Sequence, residues 1–105
     1  MTAPSEVDIG TLIERKPGVY GGRPVLKGTR FPVTLIGILH RQGLSPAEIH
    51  RRWLADMDIA LVYAGLAYYL ANRAAIDTQI AEDAELHDRL AAEHPPGTDR
   101  KPRAS

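Results

Sequence analysis

The chain has 105 residues, 44% of them hydrophobic and 25% charged, with a formal net charge of zero. That length holds one domain with tails. The absence of cysteine excludes a disulfide framework and a thiolate metal site. No run of 18 apolar residues occurs and no charged-then-apolar leader opens the chain, so the sequence reads as a soluble cytoplasmic protein with no membrane partner.

Zero net charge hides an uneven distribution. Residues 1–53 carry eight Lys or Arg against four Asp or Glu. Residues 54–94 carry two Arg against eight acids, and 95–105 add a balance of +2. Such a split predicts two surfaces, one for an anion such as nucleic acid and one for a basic partner.

In chain order, residues 1–8 form a flexible N-terminus. Ile9, Leu12 and Ile13 are the first apolar cluster, suited to a short helical turn or the start of a strand. From Tyr20 to Val33 the chain is punctuated by glycines at 21, 22 and 28 and prolines at 24 and 32. Glycine opens backbone angles that other residues avoid, and proline fixes φ and withholds a donor. This predicts two short extended pieces folded by tight turns. A phosphate-binding P-loop is excluded, because Lys27 precedes Gly28 and the spacing is wrong.

A helix is predicted over 33–42, where Leu35, Ile36 and Leu39 share a face in spite of Gly37, with Gly43 as its C-terminal cap. Ser45-Pro46-Ala47-Glu48 is a capping box that opens a helix over 46–53, with Leu44 placed to staple onto Ile49. Asp56 or Asp58 can cap the next helix, 59–71. There Ile59, Val62, Tyr63, Leu66, Tyr69 and Leu70 form a broad stripe, opposite Ala60, Ala64, Gly65, Ala67 and Ala71. A helix apolar all round is a core helix. The last helix, 73–93, aligns Ile76, Ile80, Leu90 and Ala91, interrupted by Asp83 and His87 and flanked by Leu86. Pro95-Pro96-Gly97 ends it. The organisation is thus 1–8 as a flexible N-terminus, 9–72 as a β element with a helix-turn-helix-like core, 73–94 as a partner-binding helix and 95–105 as a disordered tail.

Little enzyme chemistry is visible. His40, His50, His87 and His94 have no metal-ligand spacing, and nothing resembles a nucleophile elbow. The expectation is a non-enzyme with no catalytic residue, no metal site and no cofactor. Nucleic-acid binding has more behind it. Either 33–42 with 46–53 or 46–53 with 59–71 has helix-turn-helix spacing. The helix 59–71, however, carries no Arg, Lys, Asn or Gln before Asn72, hence no base-edge donor. The expected DNA contacts are therefore phosphate contacts from Arg51 and Arg52, extended by Arg23, Lys27, Arg30 and Arg41. The expected partner contacts are Ile76, Ile80, Leu86 and Leu90 with Asp77 and Asp83.

The run GGRPVLKGTRFPV at 21–33, a short helix, GLSPAEI at 43–49 and LAYYL at 66–70 together resemble the domain of unknown function 433 family, over roughly residues 13–80. The resemblance implies a helix-turn-helix antitoxin of the VapB type, from a type II toxin–antitoxin pair whose toxin has a PIN-like ribonuclease fold. The fold expected is mostly α: a homeodomain-like three-helix cluster, a short N-terminal β element and a C-terminal amphipathic helix. The function expected is antitoxin, binding promoter DNA and neutralising the PIN-like toxin protein. A stand-alone DNA-binding regulator and a protein-interaction adaptor without nucleic acid remain as alternatives. Two short strands cannot form a stable sheet alone, so the β element is expected to pair with its copy in a homodimer.

Overall fold

The computed structural model describes residues 6–93; the expected tail 95–105, and His94, lie outside them. Over the described residues the protein is mostly helical, with four α-helices and a two-stranded antiparallel sheet. Asp8 opens a 3-10 turn, Ile9–Leu12, by accepting the Gly10 amide at 3.2 Å. The chain then passes directly into strand β1, Ile13–Arg15, so the first apolar cluster is both a turn and a strand start. Strand β2, Pro24–Leu26, pairs with it in the register Ile13 to Leu26, Glu14 to Val25 and Arg15 to Pro24.

The outer edge of β2 is not open to a second copy. Leu26 donates its amide to the Phe31 carbonyl at 3.0 Å, and Val25 bridges to Pro32. All three β2 residues are buried. That edge is covered by the same chain, which folds back through the turn at 27–30.

Helix α1, Val33–Arg41, ends as the glycine predicted. The Gly43 amide bonds the His40 carbonyl at 2.9 Å and the Leu44 amide bonds that of Leu39 at 3.1 Å. This double closure satisfies carbonyls the helix cannot. Helix α2, Pro46–Trp53, carries the full capping box: Ser45 Oγ accepts the Glu48 amide at 3.2 Å and Glu48 Oε1 accepts the Ser45 amide at 2.9 Å. The second of these, the Ser45 amide donating to the carboxylate, is the main cause that holds the Glu48 carboxyl below its ordinary ionisation range. Asp58, rather than Asp56, caps helix α3, Ala60–Ala71, through the Ala60 amide at 2.9 Å. Asn72 breaks the path, and helix α4, Arg73–Glu93, follows.

The core gathers Leu26 from the sheet, Val33, Ile36 and Leu39 from α1, Ile49 from α2, Leu61, Val62 and Tyr69 from α3 and Ile76 from α4. Each fully buried aliphatic side chain of this kind contributes about 1.5–3 kcal/mol. The buried face of α3 differs from the expected stripe. Leu61, Val62, Ala64, Gly65 and Tyr69 are buried, while Tyr63 and Leu70 are exposed. Close approach is the reason. A Cβ on Gly65 would stand 2.7 Å from Leu26 Cδ2 and 3.2 Å from Ile36 Cγ1. A Cβ on Gly37 would stand 2.7 Å from the Tyr69 ring. The two glycines let α1 and α3 press together, and that contact chooses the face.

Candidate functional site

Two ends of the molecule have opposite chemistry. The first is built on the turn 27–30, whose short sequence Lys27-Gly28-Thr29-Arg30 closes on itself. Thr29 donates both its amide and its hydroxyl to the Leu26 carbonyl, at 3.0 and 2.8 Å. Its Oγ in turn accepts the Phe31 amide at 2.9 Å. From β1, Glu14 Oε2 accepts the Gly28 amide at 2.8 Å, a bond that holds this carboxyl below its ordinary ionisation range. Lys16 Nζ donates to the Thr29 carbonyl at 3.2 Å. With its backbone so bound, the turn presents Lys27 and Arg30 to solvent from a fixed support.

The same turn touches the connection that follows α2. The Met57 methyl stands 3.9 Å from the position a Cβ on Gly28 would take. His50 anchors that connection, with Nε2 2.7 Å from the Met57 carbonyl. Arg51 and Arg52 lie beside His50 in the last turn of α2 and are exposed. The Arg52 guanidinium stacks over Trp53, 5.9 Å from the ring centroid. Among the described residues, Lys27, Arg30, Arg51 and Arg52 form no ion pair. Cations in the last turn also suit the α2 dipole, which keeps them there without any ligand.

The other two expected phosphate contacts sit elsewhere. Arg23 donates to Asp83 of α4 at 2.6 Å, and Arg41 to Asp77 of α4 at 3.3 Å. Asp77 also lies 3.9 Å from Arg73 and accepts the Tyr69 hydroxyl at 2.7 Å. Burial, and then this bond, push the Tyr69 phenol above its ordinary ionisation range. The exposed pairs are worth at most about 1 kcal/mol each. Their value here is in fixing α4 against the β element and α1.

The six expected partner contacts divide. Ile76 is buried in the core and Ile80 packs against it, while Leu86 and Leu90 are half-exposed at 47% and 49%. Asp77 and Asp83 are engaged as described. Six further large hydrophobic side chains are exposed: Val7, Ile9, Tyr20, Trp53, and Tyr63 and Leu70, which were expected on the core stripe of α3. Tyr63, Ala67 and Leu70 follow one another on the outer face of α3 and make an uncharged stripe. It continues over Ile9 and Leu12 through an apolar hollow floored by Ala60 and Ala64. The lack of cations in 59–71 was the signal that could have found it. Among the described residues, no group of three His, Asp or Glu is placed to hold a metal ion. No helix there is long and apolar enough to cross a membrane.

The family described as "Protein of unknown function (DUF433)" matches residues 13–69, from β1 through the buried Tyr69. The chain belongs to this family. Its matched segment contains the whole basic end and all of the α1–α3 packing, and stops before α4. A crystal structure of a DUF433 member protein from Anabaena variabilis is 30% identical, with a TM-score of 0.59, over 67% of this chain and 68% of that one. No match was found among the curated proteins.

Proposed function

We propose that the protein is an antitoxin whose basic end binds promoter DNA and whose α4 covers a PIN-like ribonuclease toxin. The observation that carries the reading is the separation of charge. Lys27, Arg30, Arg51 and Arg52 form no ion pair among the described residues; the first two flank Gly28 and Thr29 in the turn, and the last two adjoin His50, which holds the Met57 carbonyl. The acids of α4 beyond Asp83 face solvent along a helix that has left the core. The likeness of α1–α3 to a homeodomain-like cluster belongs to the same proposal, with one amendment. The exposed face of α3 is apolar, so α3 does not read bases, and DNA is held through phosphates. A second copy then docks on the Tyr63–Ala67–Leu70 stripe, since β2 has no outer edge to offer.

Binding to the promoter of its own operon, alone and with the neighbouring gene's product, tests the proposal. With about four phosphate contacts per chain, log K falls against log salt at about −0.9 per contact. Replacing Arg51 and Arg52 by Ala weakens binding to every sequence and flattens that slope by about two contacts. Arg23→Ala leaves the slope alone, because Arg23 is held by Asp83. Co-expression of the full chain rescues growth if the neighbour is a toxin. The adaptor reading is favoured by the uncharged face of α3, and it prevails if the protein binds no DNA in either state. A stand-alone regulator binds DNA but forms no complex with the neighbour.

A further inference from the structure

Beyond Ile80, α4 leaves the helical core and runs beside the turn Tyr20–Gly22. An open groove lies between them, lined by Tyr20 and Gly21, the Arg23–Asp83 pair, and Leu86, His87 and Leu90 of α4. Tyr20 is the one non-glycine among the described residues with a positive φ, at 50°. A bulky side chain in that region costs of order 1 kcal/mol and persists only where the surroundings impose it. Here they do. The Arg23 amide bonds the Tyr20 carbonyl at 3.1 Å, the Gly22 amide bonds Val19 at 3.0 Å, and Arg15 holds the Gly22 carbonyl at 3.2 Å. Yet the ring so positioned is 54% exposed and takes no place in the core. The strained backbone presents an aromatic side chain to solvent at the mouth of the groove.

The Arg23–Asp83 pair joins the two walls, so that Tyr20, Leu86 and Leu90 form one apolar surface. From residue 82 onward α4 carries Glu82, Asp83, Glu85, Asp88 and Glu93 against Arg89 alone. Arg23 neutralises Asp83; the other four acids lie exposed. Glu82 precedes Leu86 by four residues and Glu93 follows Leu90 by three, which sets both on the leucine side of the helix. This sign rejects a nucleic acid. It also rejects a second copy, because a two-fold contact through the same face would set acid against acid.

We infer that the turn at Tyr20 and the outer half of α4 form a single docking groove for a basic protein surface, one that inserts an apolar ridge between its own cations. Tyr20 is its aromatic anchor. The inference rests on the toxin-binding reading of α4 and adds a wall from the N-terminal segment, 60 residues away along the chain at the Arg23–Asp83 contact. Aromatic side chains at the centre of such contacts carry a large share of the affinity.

The experiment uses the full chain co-expressed with the product of the adjacent gene, with the dissociation constant of the purified pair as readout. Tyr20→Gly removes the ring at a position whose backbone suits glycine, so the variant keeps its melting temperature or gains. It is expected to weaken the complex about tenfold or more, with promoter binding unchanged. Leu86→Ser with Leu90→Ser, at half-exposed positions, weakens it likewise. Hydrogen exchange is expected to show protection at residues 19–23 and 83–92 on complex formation. A complex that forms with wild-type affinity in both variants overturns the groove and leaves the antitoxin reading standing. Protection confined to Tyr63–Leu70 overturns it as well. If the wild-type chain forms no complex with that product, the toxin reading falls and the groove falls with it.

Discussion

The two halves of α4 share one continuous helix and almost nothing else. In the inner half, Ile76 is 3% exposed, Ile80 packs on the core, and Asp77 gathers Tyr69, Arg41 and Arg73. In the outer half every residue from 81 to 90 is exposed, and Arg23–Asp83 is the one ion pair to another element among the described residues. Backbone hydrogen bonds propagate a helix without regard to what lies beside it. Burial requires a packed neighbour, and packing against the core ends at Ile80. A free helical stretch of this length is marginal in water, so a partner that covers it also stabilises it. The inner half serves the domain and the outer half is available to something else.

The contrast breaks most readily at its apolar anchors. Ile76→Ala is expected to cost about 2–5 kcal/mol in denaturant unfolding, as for other buried aliphatic truncations. Leu90→Ala is expected to stay within about 0.5 kcal/mol of wild type. A Leu90 variant as costly as the Ile76 variant would mean that the outer half also rests on its own domain.

Gly37→Ala sharpens the same contrast from the far side. The new methyl would meet the Tyr69 ring at 2.7 Å, and that ring is fully buried with its hydroxyl fixed to Asp77. Overpacking costs about 1–3 kcal/mol and the gain in helix propensity returns about 1, so a net loss of up to about 2 kcal/mol is expected. The measurement is again chemical unfolding, with loss of hydrogen-exchange protection in the first turns of α4.

Asp77→Ala comes next, at about 1–2 kcal/mol, because it leaves the buried Tyr69 hydroxyl without its acceptor. Asp83→Ala, by comparison, releases an exposed pair worth at most about 1 kcal/mol. The smallest effect is a slope in alkali. Burial keeps the Tyr69 phenol neutral and raises its ionisation above the ordinary value of 10.0. A group raised in the folded state supports folding fully below its unfolded value, and that support is lost as pH rises through the folded value. Thermal midpoints are therefore expected to fall above pH 10 more steeply for wild type than for Tyr69→Phe. Parallel curves would remove Tyr69 as the titrating link between α3 and α4.

Much of the local structure was legible because it depends on near neighbours. Ser45 and Glu48 cap each other three residues apart, and Gly43 ends α1 by bonds within five residues. The glycine–proline segment folds back on itself as expected, but only Pro24–Leu26 forms a strand there; Tyr20–Gly22 is a 3-10 turn, Pro32 makes a single bridge to Val25, and the partner strand, Ile13–Arg15, comes from outside the segment. The faces of α3 were not legible. A helix apolar on every side has no periodicity to read, and Leu61, absent from the expected stripe, is 5% exposed while Tyr63 is 53% exposed. At the candidate site, the sequence marked six cations as one class but could not divide them into paired and unpaired. Arg23 and Arg41 differ from Arg51 and Arg52 only through acids 60 and 36 residues further on.

The sequence alone thus determined where the helices begin and end, which half of the chain is basic, and that 59–71 lacks base-reading donors. Those are properties of composition and of contacts a few residues apart. Tertiary structure alone decided which face of α3 is buried, which cations remain unpaired, and where α4 ceases to belong to the core. Each of these depends on pieces distant in the chain meeting in space: Gly37 on Tyr69, Gly65 on Leu26 and Ile36, Arg23 on Asp83. Close packing makes such meetings specific, and no local pattern encodes them.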